Sequence, residues 1–376
     1  MQNLTQSPRD AFTADQMRSL LTGSSLEISA GLELLDTSNI FVSDISDVLD
    51  GGEISRSNFA DVHGTCQLQI VRELAWGKDR VRPYMTLSND SISARFNLGV
   101  FVLTTPETSR VNDVITYKVS GLDLLFLLQS GPSDTYVATS GTTYLTAVQA
   151  VLTASGVGVG LQLDGTGSAT TLPVTMVWAL NPDAETSWLE IINDLLGAIN
   201  YRGLWANENG VFTSSPYAAP STRAIEWTFD TSNSATNIVG PERTLTSDVW
   251  GAKNWWRFVR KAMTSKPIEG AGIYTVTNAS SGRTSVAALG RTVKAKVEFL
   301  NAADQTSLVA QGDKIIASNQ AISRSFTIEV DPLPIASHFD IVELIDAGFT
   351  DKCQVTSWSL PLDGSQGRWN LESVNA

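Results

Sequence analysis

The chain has 376 residues, 42% hydrophobic and 17% charged, which is the composition of a folded protein with a sizeable core and too long for one ordinary small domain. Twenty-six Lys and Arg against 39 Asp and Glu leave a net charge of −13, which argues against general nucleic-acid binding because that needs clustered cations. The two cysteines, Cys66 and Cys353, frame no disulfide scaffold, and no apolar run approaches the roughly 18 residues of a membrane span.

The N-terminal stretch MQNLTQSPRDAF lacks the apolar segment of a secretory signal. A short helix is expected over 8–22, with Ser7 as N-cap and Pro8 at the first helical position. From 25 to about 120 the pattern is strands and turns. SLEISAGLEL and TCQLQIVREL alternate apolar and polar residues, and DVLDGGEISR carries an Asp-Gly-Gly turn. DRVRPYMTLS, FNLGVFVLTTPE and VITYKVSGL complete a regular series of strands, as in a sandwich or small barrel. FNLGVFVLTTPE changes character within itself. Phe96, Leu98 and Val100 alternate, then Val100 to Leu103 run apolar on both faces, with Gly99 at the changeover. That pattern predicts a strand that bends at Gly99 and is covered on both sides beyond it.

The middle of the chain differs. GLDLLFLLQ and TTYLTAVQAVLTAS read as helical. Over 181–200, Trp188, Ile191, Ile192, Leu195, Leu196 and Ile199 form one apolar stripe of helical period, with Asn181-Pro182-Asp183 as the expected cap. In RGLWANENGVFTSSPY the Asn209-Gly210 pair predicts a hairpin. Strands resume over 225–260, in AIEWTFD and DVWGAKNWWRFVR. A further helix is expected near 304–318 on a stripe of Leu308, Val309, Ile315 and Ile316. The last fifty residues read as β.

Few residues carry a chemical signature. His63 and His338 each have a nearby aspartate, Asp61 and Asp340, but no third ligand or nucleophile. GVGVGLQLDGTG (156–167) has the wrong glycine spacing for a dinucleotide-binding loop, and GKD (77–79) is no P-loop. Asp44, Asp47 and Asp50 lie three apart, whereas a calcium loop needs acidic ligands at every second position. No catalytic, cofactor-binding or metal-ligating residue is assigned, and the chain is read as a non-enzyme. Lys253, Arg257, Arg260 and Lys261 interleave with Trp250, Trp255 and Trp256. That pattern suits glycan or nucleic-acid stacking, or a strand whose tryptophans enter the core while the cations face outwards or toward a neighbouring subunit.

One internal echo outweighs any motif. TCQLQIVREL (from 65) pairs with RSFTIEVDPL (from 324), and DRVRPYMTLS (79) with FDIVELIDAG (339). RFNLGVFVLTTPE (95) pairs with KCQVTSWSLPLDG (352), and VITYKVSGL (114) with GRWNLESVN (367). Strand type, order and spacing persist although identity is slight, which predicts a duplicated β-domain. Thr356 stands where the first copy has Gly99, so the copies are expected to differ in curvature there.

GGEISRSNFADVHGTCQLQIVRELAWGKDRVRPYMTLSN, FNLGVFVLTTPE and ITYKVSGLDLLFLLQ resemble the tail-tip or baseplate hub proteins of tailed bacteriophages, nearest the siphophage minor tail protein type. The likeness continues through WLEIINDLLGAINYRGLWANENGVFTSSPY and FTIEVDPLPIASHFDIVELIDAG. It implies a mainly β fold with α+β segments and two similar β-barrel domains. The first barrel would be 1–120 and the second 225–260 with 325–376. An α/β domain would span 121–224, and 261–324 would be an α/β insertion. The resemblance also implies a homotrimeric hub at the virion tail tip, made in the host bacterial cytoplasm. Six similar domains would cap a hexameric tube, with the distal tail protein, the tape-measure protein and fibre or spike proteins as partners. Phage DNA would pass through the lumen, without stable membrane insertion and without a cofactor. Many such hubs carry a further C-terminal fibre or lytic domain, whereas this sequence stops at Ala376. Two other readings stand beside it: a hexameric distal tail ring protein, and a glycan-binding β-sandwich protein using Trp255 and Trp256.

Overall fold

The computed structural model describes residues 1–2, 14–23, 26–46, 51–111, 113–167, 169–179, 186–232, 239–246, 249–261, 266–321, 324–346 and 348–374. The expected caps Ser7 and Asn181-Pro182-Asp183 lie outside them, as do Asp47 and Asp50.

The chain is mainly β with α+β segments. Its dominant element is a 15-stranded sheet built from two sets of strands with one pairing order. In the first set, Glu53–Ser57 pairs with Gly64–Ile70, which pairs with Val114–Asp123. That strand pairs with Phe101–Leu103, which meets Arg80–Ser88, which meets Glu27–Leu35. In the second set, the same positions are taken in turn by Val239–Thr246, Ser325–Val330, Gly367–Ser373, Phe349–Pro361, Ile341–Asp346 and Trp227–Asp230. All four echoing sequence pairs fall on equivalent strands. The sets part at their last pair, antiparallel between Glu27–Leu35 and Arg80–Ser88 but parallel between Trp227–Asp230 and Ile341–Asp346. A loop of six residues, 58–63, joins Glu53–Ser57 to Gly64–Ile70 in the first set, whereas 247–324 joins their counterparts in the second.

One hydrophobic cluster runs under both sets, from Leu32, Met85 and Phe101 to Phe229, Val355 and Leu371. Burying such side chains stabilises by roughly 1.5–3 kcal/mol each. A second cluster belongs to residues 124–212. There, Tyr144–Ser155 is a helix capped by Thr143, whose hydroxyl accepts from the Thr146 amide. It packs on the helix Trp188–Ala198, which buries Ile191, Ile192, Leu195 and Leu196 as the stripe predicts. GLDLLFLLQ is helical only in part, since Gly121 to Asp123 end a strand and Leu124–Leu128 form a 3₁₀ turn begun by the Asp123 carboxylate. The hairpin at Asn209-Gly210 pairs Trp205–Ala206 with Phe212–Ser214. Its loop is wider than a two-residue turn because the Asn207 carboxamide oxygen accepts from the Asn209 and Val211 amides.

FNLGVFVLTTPE is where these two cores meet. Ser93–Asn97 pairs along Arg80–Ser88, pairing breaks, and Phe101–Leu103 resumes on Arg80 and Val81. Gly99 in the gap has φ +126°, and a β-carbon there would lie 2.4 Å from the Arg56 guanidinium. Phe101 and Leu103 then enter the sheet core, while Val100 and Val102 enter the helical core. The counterpart Phe349–Pro361 runs unbroken and takes up the extra residue as a bulge at Thr356, between Val355 and Ser357. The copies do differ in course at this point.

The third cluster lies in 247–324. Trp255–Arg260 pairs with Gly272–Thr277 and with Glu298–Leu300 in a separate four-stranded sheet. This strand, which the sequence reading sets at the end of the second β-domain, therefore shares its sheet with the segment that follows it. The helix Gln305–Ala321 covers one face, packing Leu308 and Ile316 on Trp256 and Phe258.

Candidate assembly site

The two strand sets join edge to edge inside the chain. Ser357 to Pro361 of the long strand pair antiparallel with Glu53 to Ser57, in the register Ser357↔Ser57, Leu360↔Ile54, Pro361↔Glu53. A buried polar cluster sits at this seam. Arg56, on the strand Glu53–Ser57, is 5% exposed. Its guanidinium donates to the Leu98 carbonyl at 3.0 Å and lies 3.2 Å from His338 Nε2. Because guanidinium only donates, Nε2 must accept. Asp123 supplies the opposing charge, its carboxylate accepting from the Gly64 and Leu125 amides at 2.5 and 2.9 Å.

Burial dominates the ionisation of this cluster. It pushes the Asp123 carboxyl up to about 6 against the pull of Arg56. It also lowers His338 well below the ordinary value, with Arg56 and His63 adding repulsion. His63, whose ring centre lies 5.3 Å from that of His338, falls to about 4 through burial and the nearby Arg56 charge. Sequence reasoning gave each histidine a neighbouring aspartate, but the structure pairs the histidines with one another and with Arg56. Asp340 instead receives the Met1 amine and the Ser337 amide.

The same seam defines its unmatched counterpart. In the second set Trp358 pairs with Trp369 on the last strand, and the residues beyond it form the seam. In the first set the strand Glu107–Val111 holds that place, pairing with Val114–Asp123 from Glu107↔Lys118 to Val111↔Val114. Among the described residues its other edge pairs with nothing, and Glu107 to Arg110 are all exposed. At the far end, Val239–Thr246 is the equivalent of Glu53–Ser57 and, among the described residues, pairs on one side only, with Ser325–Val330. An unprotected strand edge of this kind is a template for pairing with another chain.

The remaining residues singled out by sequence do not converge on chemistry. Trp256 is buried in the core of the 247–324 segment, Trp255 is half-buried under Lys294, and Trp250 is 78% exposed with Arg291 across its ring. Arg260 donates to the Ala302 and Ala303 carbonyls. Gly156 caps a helix, and the Asp79 carboxylate receives the Ala75 amide in a turn. Cys66 and Cys353 are buried free thiols. Among the described residues no group of three or more His, Cys, Asp or Glu is placed to hold a metal ion. Among the same residues no helix is long and apolar enough to cross a membrane.

No protein-family model and no characterised protein matches the chain by sequence. Its fold is that of bacteriophage tail proteins. It is similar to a tail protein from Neisseria meningitidis MC58, with a TM-score of 0.61 at 11% identity over 92% of this chain and 97% of that one. It is similar also to the 43 kDa tail protein of prophage MuSo2 from Shewanella oneidensis, at 0.58 and 12% identity over 92% and 98%. The prophage tail protein gp18 from Listeria monocytogenes EGD-e gives 0.55 and 12% identity over 91% and 94%. A chain of the Francisella PdpA-VgrG complex gives 0.53 and 9% identity over 95% of this chain, which spans about half, 54%, of that one.

Proposed function

We propose that the chain is a structural hub of a phage tail, assembling as a homotrimer that closes the distal end of the tail tube. The observation that carries this reading is the doubled sheet. Two strand sets of one pairing order are joined edge to edge, and among the described residues the equivalent edges are left open. Repeating the internal seam between chains gives head-to-tail contacts, which close into a ring when the rotation permits. Three chains with two domains each present six similar domains to a six-fold tube. The role is mechanical and non-enzymatic: the ring links the distal tail ring to fibre or spike proteins and opens for DNA, with tape-measure protein ending inside it. The chain's net charge of −13 suits a lumen that repels DNA and lets it slide.

Native mass spectrometry and negative-stain class averages of the purified chain test this. Trimeric rings with six similar lobes are expected. A monomer that binds oligosaccharide would overturn the reading, and rings of six chains would favour a distal tail ring protein. The glycan alternative is weakened by the burial of Trp256, which leaves Trp255 without its expected partner.

A further inference from the structure

Where the 124–223 segment, the helix Gln305–Ala321 and both strand sets come together there is a cavity of about 200 Å³. Two cations project into it. Lys314 holds its ammonium 4.9 Å from the Tyr217 ring centre, and the Arg202 guanidinium lies 4.9 Å from the ring centre of Phe339. Both are largely removed from water. Burial and their mutual repulsion bring Lys314 down to about 8, and burial with the nearby Arg223 brings Arg202 to about 10. Among the described residues neither side chain has a hydrogen-bond acceptor or an ion-pair partner. Glu226, the carboxylate that Arg202 senses, is already held by Arg223 at 2.6 Å and by the Met1 amine. Glu372 also lines the cavity, and burial raises its carboxyl. His63 also lines the cavity.

Buried cations without a counter-charge are costly, because desolvation is repaid only by hydrogen bonds and opposite charge. Two cations without an acceptor, facing one cavity, define the complement of an anion that accepts several hydrogen bonds. We propose that this cavity is a binding site for a small oxyanion of the phosphate or carboxylate class, held by Arg202 and Lys314. Such an anion clamps the parts of the chain that meet there: Arg202 and Tyr217 from the helical segment, Lys314 from the insertion, His63 from the first strand set and Phe339 from the second. It goes beyond the hub reading and does not depend on it.

The test is titration of the full chain with inorganic phosphate, and separately with malonate, against chloride at matched ionic strength, following heat release and melting temperature. A saturable rise in melting temperature is expected, and the preferred anion assigns the class as tetrahedral or planar. Lys314→Met and Arg202→Gln should each weaken binding by at least about tenfold, the loss typical of removing one partner from a buried charged contact. Crystals of the unaltered chain soaked in selenate should show anomalous density between Arg202 and Lys314, which keeps the proposal testable if a variant fails to fold. No saturable difference from chloride, unchanged affinity in both variants, or anomalous density confined to other places overturns it.

Discussion

His63 and His338 are both held neutral by the fold, and that sets a pH dependence. In the unfolded chain a histidine protonates near 6.5, whereas His63 in the folded chain does so only near 4. Between those values the unfolded state binds the extra proton, so the stability contributed by His63 is complete above pH 6.5 and is lost as pH falls toward 4. His338 acts in the same direction. Asp123 and Asp340, raised to about 6, act in the opposite one, because folded carboxyls there keep protons that unfolded ones release. His63→Gln separates these effects. Relative to the parent chain, the variant should gain about 2–3 kcal/mol between pH 7.5 and pH 4.5. Urea unfolding of both proteins at the two pH values measures this, and parallel stability curves would refute it. Sequence named both histidines but not their relation. Local spacing offered Asp61 and Asp340 as partners, while the contact of the two histidines with one another joins loops far apart in the chain.

At the scale of elements, periodicity located the helices well and their ends less well. The stripe from Trp188 to Leu196 predicted the right helix, but the expected cap lay several residues too early. The helix starts at Ser187, where the hydroxyl accepts the Glu190 amide at 3.1 Å and the Glu190 carboxylate accepts the Ser187 amide at 2.8 Å. The signal, Ser-Trp-Leu-Glu ahead of the apolar run, is legible in the sequence as a capping box. Asn181-Pro182-Asp183 drew attention from it because proline and aspartate are also start signals. Ser187→Ala should cost about 1 kcal/mol, read as a lower urea midpoint with unchanged slope, while Glu73→Ala, at an exposed position, should leave the midpoint in place. Gly99 shows the complementary case. Its bend was legible from the change in apolar pattern, but the reason only glycine fits there, the Arg56 guanidinium 2.4 Å from a would-be β-carbon, comes from a strand more than forty residues away in the chain.

For the whole molecule, the duplication was legible because four strands recur in order. The seam was not, because the pairing of Glu53–Ser57 with Ser357 to Pro361 leaves no trace in local periodicity. Yet the seam is what makes the assembly specific enough to test residue by residue. Within the chain, Ser359 faces Ser55. The core residues Cys66, Leu68 and Ile70 match Phe326, Ile328 and Val330, so Thr65 corresponds to Ser325, and their partners Ser55 and Thr246 correspond to one another. On the following strand Leu122 then corresponds to Glu372 and Lys118 to Arg368. Glu107 lies opposite Lys118 as Ser359, one step beyond the Trp358↔Trp369 pair, lies opposite Arg368, so Glu107 corresponds to Ser359. If the seam is repeated between chains, Glu107 of one protomer faces Thr246 of the next. Facing residues of an antiparallel pair hold their β-carbons about 4.5–5.5 Å apart, near enough for a disulfide after slight adjustment. The native thiols do not interfere, because Cys66 and Cys353 are buried and burial raises the pKa of both. A chain carrying both Glu107→Cys and Thr246→Cys should therefore run as a covalent trimer on a non-reducing gel after mild oxidation. Each single variant should stay monomeric under the same conditions, because head-to-tail geometry never brings two copies of one position together. A double variant that stays monomeric in oxidant, with both thiols titratable, would exclude the ring built on this seam.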